Sequence, residues 1–229
     1  MSTKIGIVSE GISDFWALQH IIERYLKECD VYTIPLKPKV TPNGKQDGFG
    51  TWQGVFQYIS GCDENKLIIE AKNEGCRFVV IQIDTDVCEE YGVKKDTTNI
   101  EIFFEQVKEQ LSSHIHPEFD QSNIIYAICI HELECWLIPF VNSEAGKCSI
   151  IDGCLKTVNK AIKTKGSIDK DNKNDVRVRS LYQYIFTHKK KPKDIKDCAQ
   201  YNKGFENFVK QLDQIKEILN AEDQATEEK

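Results

Sequence analysis

The chain has 229 residues, of which 40% are apolar and 29% charged, enough to bury a core in one domain or one domain with a sizeable addition. No apolar run approaches the roughly 18 residues a membrane span needs, and MSTKIGIVSEG lacks the layout of a signal peptide, so the expectation is a cytoplasmic protein with no membrane partner. The net charge of −6 is uneven: residues 1–150 carry 13 basic and 23 acidic side chains, residues 151–210 carry 15 and 7, and residues 211–229 carry 2 and 6. An acidic metal site beside a basic phosphate-binding surface has this distribution, and so does a merely solvated lysine-rich face.

KIGIVSE (4–10) reads as a short buried strand, followed at once by Gly11. SDFWALQHIIERYLKE (13–28) reads as an amphipathic helix with Phe15, Leu18, Ile22 and Leu26 at helical spacing and Ser13 or Asp14 as its cap. VYTIPLK (31–37) is a second strand that Pro35 places near an edge or an end. Residues 38–54 are rich in Gly and Pro and read as a loop that can close over a substrate through Lys37, Lys39, Lys45 and Trp52, or as a mobile surface loop. Residues 55–75 are helical in part. RFVVIQIDTD (77–86) is the clearest strand, and residues 97–113 a helix with Ile102, Val107 and Leu111 inward. NIIYAICIHELECWLIPFV (123–141) begins as a buried strand and turns helical after His131. Beyond residue 146 the pattern changes to helices, a polar loop at 167–175, a helix at 177–188, a break at KKKPKD, and a final helix with a frayed end. Continuous apolar strands alternating with amphipathic helices predict an α/β fold with a mostly parallel central sheet in residues 1–145, and a helical, lysine-rich C-terminal extension in residues 146–229.

The nine cysteines are an odd number with no C-x-x-C pair. They read as reduced thiols, several of them small hydrophobes in apolar runs, rather than as a zinc site or redox motif.

In a parallel α/β sheet, functional groups gather beyond the carboxyl ends of the strands. Two strands end in acids there. The first runs into Glu10, then Gly11 and Asp14; the third ends Asp84-Thr85-Asp86. If strand geometry persists, Asp84 and Asp86 point the same way and can face one ion. Gly11 permits a tight turn after Glu10, and Asp14 serves either the ion or the helix start. Such hard oxygen ligands suit Mg²⁺ or Mn²⁺, which could clamp a phosphodiester. Glu132 and Glu134 flank Leu133 and share a face if the fourth strand continues. Trp136, Leu137 and the alternating Tyr182, Tyr184 and Phe186 read as packing. His131 is either a phosphate- or water-positioning group or a satisfied, partly buried histidine. The lysines of THKKKPKD (187–194) can contact a phosphate backbone.

IVSEGISD joined to IQIDTD resembles the Toprim domain, whose signature is a Glu after the first strand and a later D-x-D. The EGISD form is similar to the Toprim branch of OLD-family nucleases, and HELECWLIP is similar to a segment of the small RloB- and AbiL-type bacterial phage-defence proteins. The resemblance covers roughly residues 4–140, with a looser match beyond. It implies a Rossmann-like fold, a divalent metal and phosphodiester cleavage or transfer. By position it makes Glu10 a metal ligand or general base, Asp84 and Asp86 metal ligands, Asp14 the second acid of the turn, and Glu132 or Glu134 a further acid. It also implies a lysine near the metals, for which Lys189, Lys190, Lys191 and Lys193 are the candidates.

The expectation is therefore a Mg²⁺- or Mn²⁺-dependent endonuclease acting on DNA or RNA, an effector of bacterial anti-phage defence and abortive infection that works with a sensor or ATPase partner. The alternatives are a phosphotransferase or nucleotide hydrolase on a small substrate, and a non-catalytic binding or regulatory module of the same fold.

Overall fold

In the computed structural model, the described residues are all but 1, 40, 42–45, 47–49, 61–65, 97, 170–172, 174, 190 and 228–229, with the side chains of 145, 176, 226 and 227 also outside the description. Four strands form the sheet: β1 (Thr3–Val8), β2 (Val31–Lys37), β3 (Phe78–Asp84) and β4 (Ile124–Cys129). All pairings are parallel and the order is β2-β1-β3-β4. The chain winds outward from β1 to β2 and in the opposite direction from β3 to β4, so the topological switch point lies between β1 and β3. This is the Rossmann-like α/β architecture, with β2, the strand containing Pro35, at an edge as the sequence implies.

Alternation along each strand fills two cores. Ile5, Ile7, Phe78, Val80, Ile125, Ala127 and Cys129 face one side; Val79, Ile81, Ile83, Ile124, Tyr126 and Ile128 face the other. The second side is covered by α2 (Trp52–Ile59), α3 (Lys66–Asn73) and α4 (Ile100–His114). In α4 the inward residues are Phe103, Phe104, Val107 and Leu111, while Ile102, expected inside, is 56% exposed. The two adjacent phenylalanines occupy the buried arc and turn their neighbour outward.

The first side is covered by α1 (Ile12–Tyr25) and α5 (Glu134–Val141), and by the helices that follow the short α6 (Ala145–Cys148): α7 (Cys154–Ile162), α8 (Val176–Ile185), α9 (Pro192–Ala199) and α10 (Lys203–Glu227). The C-terminal helices thus share one continuous core with β1, β3, β4 and α1. KKKPKD is a break only up to Lys191, with Lys190 outside the described residues; from Pro192 it is helix. Pro192 occupies the first turn of α9, where its missing N–H costs nothing, and Asp194 accepts from the Lys191 N–H at 3.0 Å. Of the expected frayed end, residues 223–227 continue α10, and 228–229 lie outside the described residues.

Two contacts seat α10 against the edge strand. The Gln211 side chain accepts from the Tyr126 N–H at 2.8 Å and donates to the Tyr126 carbonyl at 3.0 Å, satisfying backbone groups that an edge strand leaves open. At Gly204 a Cβ would lie 2.5 Å from the Ile128 carbonyl oxygen, so only glycine permits this approach. No helix among the described residues is long and apolar enough to cross a membrane.

Candidate acidic metal centre

β1 ends at Val8 and the chain turns at once into α1, which leaves Glu10 at the carboxyl end of the sheet. Gly11, not Ser13 or Asp14, is the residue before the helix, and Asp14 sits one turn in. The Asp14 carboxylate accepts from the Gly11 N–H at 2.8 Å, so it caps the helix while facing the site. The 38–54 segment touches this turn where it is described. The Ile12 N–H donates to the Gln46 side chain at 3.0 Å, and a Cβ on Gly50 would lie 2.4 Å from the Glu10 carbonyl oxygen. Lys45 lies outside the described residues.

Across the switch point, Glu10 and Asp84 are tied by a short network. The Asp84 N–H donates to Glu10 Oε1 at 2.8 Å, the Glu10 N–H donates to Gln82 Oε1 at 3.0 Å, and Gln82 Nε2 donates to Asp84 Oδ1 at 2.9 Å. The Leu133 N–H also donates to Asp84 Oδ1, at 3.1 Å. Gln82 is fully buried. Its signal in the sequence was a polar residue inside an otherwise apolar strand, two positions before Asp84 and therefore on the same face.

Asp86 lies beyond the end of the strand. β3 stops at Asp84, and buried Thr85 bonds to the end of β4: its N–H donates to the His131 carbonyl at 2.9 Å, and its hydroxyl accepts from the His131 N–H at 2.8 Å. The strand alternation ends there, leaving Asp86 exposed, though near enough for its charge to raise the Glu10 pKa. Glu132 and Glu134 do not share a face, because β4 ends at Cys129 and His131 adopts a left-handed φ of 70°. Glu134 begins α5 and is 0% exposed, on the same side as Asp14 and Asp84. Glu132 turns away, and its Oε1 accepts from the Leu155 N–H at 3.1 Å.

The lysine at the acids is Lys173, from the polar loop before α8. Its Nζ lies 2.5 Å from Glu134 Oε1, and its charge acts on Asp14 and Asp84 as well. The Tyr182 hydroxyl donates to the same Glu134 oxygen at 3.4 Å. Lys37 approaches from the other side, 3.4 Å from the Ser9 carbonyl, and its charge favours ionised Glu10. Three of the lysines proposed from sequence, Lys189, Lys191 and Lys193, lie elsewhere. Lys189 Nζ donates to the Pro139 carbonyl at the end of α5, Lys191 and Lys193 are exposed around the start of α9, and Lys190 lies outside the described residues. A lysine in an aperiodic polar loop gives no sequence signal; only tertiary packing puts Lys173 here. Trp136 is core, stacked on Phe205 and Phe208 at centroid distances of 4.9 and 5.4 Å. Tyr182 and Phe186 are fully buried and Tyr184 is partly buried against the same core. His131 keeps a buried Nδ1 without a hydrogen-bond partner.

The charges at this site do not balance. Burial pushes the Glu10 carboxyl up to about 8 and that of Asp14 up to about 6; Asp84 is driven well above its usual value by burial, then by Glu10, Asp14 and Glu134. Four carboxyl groups meet two ammonium groups here, Lys173 and Lys37, so the burial that raises the acids is only partly offset. Each of Glu10, Asp84 and Glu134 uses one oxygen in the bonds above and leaves the other without a hydrogen bond among the described residues; in Glu134 that oxygen, Oε2, is also fully buried. Tethered carboxyls with second oxygens open and their ionisation disfavoured by burial fit one hard divalent cation that keeps water in its remaining positions. As placed, these oxygens are spread more widely than a closed ligand set. Among the described residues, the one group of three metal-ligating atoms within 4.8 Å of one another is Glu132 with Cys135 and Cys154.

Cys135 and Cys154 form a disulfide, and the other described cysteines are free. This corrects the expectation of unpaired thiols throughout: the two partners are 19 residues apart in sequence, a spacing that no local motif reveals. Compared with protein-family models, curated proteins and solved structures, the chain finds no match.

Proposed function

We propose that the protein is a Mg²⁺- or Mn²⁺-dependent nuclease that cleaves phosphodiester bonds of DNA or RNA at the Glu10–Asp84 end of the sheet. The observation that carries this reading is the placement of Glu10, Asp14, Asp84 and Glu134 around the β1/β3 switch point, where burial raises the Glu10, Asp14 and Asp84 carboxyls that a bound cation would help to ionise. The second oxygens of Glu10, Asp84 and Glu134 would hold the cation, with Asp14 adding negative charge beside them; the cation when bound would supply charge neutralisation of the phosphate and a more acidic water. Lys173 and Lys37 flank the acids and offer positive charge to the non-bridging phosphate oxygens. Glu10, poised near neutrality, is the group to exchange a proton with the attacking water or the leaving oxygen. Gln82 and the Leu133 N–H hold Asp84 in place. The EGISD and IDTD segments add the resemblance to the Toprim domain, and with it the role of a phage-defence effector with a sensor or ATPase partner.

A specific observation supports a small-substrate reading as well. A cavity of about 330 Å³ is lined by Lys37, whose charge also acts on Glu10, and by Lys39, Lys66, Pro38, Tyr58 and Glu70, a lysine-rich space of a size that suits a nucleotide.

The test is incubation of the purified chain with plasmid DNA, total RNA and nucleoside triphosphates, with Mg²⁺ or Mn²⁺ and with EDTA. Metal-dependent cutting of a polymer that falls about 100-fold or more in Asp84→Asn is the expected result. Hydrolysis of nucleotides alone would select the second reading. A folded, cation-binding protein that cleaves none of them would overturn both and leave a non-catalytic module.

A further inference from the structure

Glu132 has left the acid cluster for a different neighbourhood. One of its carboxylate oxygens and the Sγ atoms of Cys135 and Cys154 all lie within 4.8 Å of one another. Cys135 is in the first turn of α5, Cys154 is the first residue of α7, and both are fully buried. The half-buried Glu132 is held in place through its bond to the Leu155 N–H. A disulfide is neutral and gains nothing from an adjacent carboxylate. Two thiolates and a carboxylate, by contrast, are a donor set that Zn²⁺ accepts, with water completing the tetrahedron. None of the other described cysteines has such a neighbourhood.

We propose that Cys135, Cys154 and Glu132 form a Zn²⁺ site that is open when the cysteines are reduced and closed when they are joined. A dithiol or phosphine reductant supplies two electrons, the S–S bond breaks, and two protons are taken up to give two thiols. Zn²⁺ then displaces both protons and binds the two thiolates and the carboxylate. Two Zn–S bonds of about 2.3 Å set the sulfurs about 3.8 Å apart in a tetrahedral site, a separation that side-chain rotation can reach from Cα atoms 4.9 Å apart. Either state ties α5, which carries Glu134, to the C-terminal helices, so the link between the sheet and the segment bearing Lys173 persists through reduction. The site is chemically distinct from the acidic centre, having sulfur donors and a preference for a softer ion.

The experiment uses the full chain reduced with a phosphine under argon and titrated with Zn²⁺ against a chromogenic chelator, and with Co²⁺ followed by absorption. The expected result is one tightly bound Zn²⁺ per reduced chain, with a thiolate-to-cobalt charge-transfer band on Co²⁺. Both are lost in Cys154→Ser, affinity is about 10-fold or more weaker in Glu132→Gln, and Cys198→Ser changes neither. The oxidised chain is expected to bind no ion with that band. A reduced chain without the band, or an unchanged Zn²⁺ stoichiometry and affinity in Glu132→Gln and in a folded Cys135→Ser/Cys154→Ser chain, would overturn the proposal. Circular dichroism melts establish which variants fold; should the serine variants not fold, the Glu132→Gln affinity and the cobalt band decide. Neither readout depends on nuclease activity, and a cation bound only at the acidic centre gives no thiolate band, so this site and that one fail separately.

Discussion

Raising the pH from 6.5 to 8 in EDTA should destabilise the protein, and a divalent cation should reverse the loss. The cause is Glu10, whose carboxyl is raised from 4.5 to about 8 in the fold. Folded chains keep a proton on Glu10 that unfolded chains have already released, so stability is fully present below the unfolded value and is lost as the pH rises through the folded one. Each pH unit at full occupancy difference is worth about 1.4 kcal/mol. Over this window, with Glu10 half-ionised at the top, the loss is about 1.5 kcal/mol. His20 opposes it: burial lowers its pKa to about 4, which contributes a gain of stability that is nearly complete by pH 6.5 and adds less than about 0.5 kcal/mol above it. Asp84, also raised, acts in the same direction as Glu10. The net fall is about 1 kcal/mol or more, which for a chain of this size is a Tm decrease of about 2–4 °C or more. Adding Mg²⁺ at about ten times its Kd should recover about 1.4 kcal/mol at pH 8. Thermal melts by circular dichroism at fixed ionic strength read both effects, and Glu10→Gln should flatten the pH slope. A Tm that is constant or rises from pH 6.5 to 8 in EDTA, with Glu10→Gln indistinguishable from wild type, would refute the placement of Glu10 as a buried, charge-frustrated carboxyl.

Lys173→Met removes the cation from buried Glu134 and should cost about 3–5 kcal/mol at neutral pH, read by urea denaturation; adding Glu134→Leu should recover most of that loss. Trp136→Ala removes a side chain stacked between α5 and α10 and should cost about 3–5 kcal/mol, while leaving any nucleic-acid affinity of the folded fraction unchanged in a filter-binding assay. Gly204→Ala should lower the Tm by several degrees, since its Cβ would meet the Ile128 carbonyl; a neutral effect would mean that α10 is free to shift on β4. Asp86→Asn should reduce cleavage far less than Asp84→Asn, because Asp86 is exposed and outside the hydrogen-bond network of the site; equal losses in a steady-state cleavage assay would show that it moves onto the ion.

Periodicity and strand-end chemistry, both local properties, determined much of this protein from sequence alone. Apolar runs flanked by turn residues mark all four strands, and Glu10, Asp14 and Asp84 follow from being the acids at the ends of two of them. Local regularities end where a long-range bond cuts them short. Thr85 bonds across to the end of β4 and stops the alternation before Asp86; His131 reverses the chain and separates Glu132 from Glu134. The buried phenylalanine pair in α4 turned Ile102 outward in the same way. Tertiary structure alone decided three things: that Lys173 from a featureless polar loop faces Glu134, that Cys135 meets Cys154 beside Glu132, and that the C-terminal helices complete one of the two cores. The physical reason is range. Burial and backbone pattern are written residue by residue, whereas compensation of a buried charge and pairing of two sulfurs depend on which distant segments the packed core brings together.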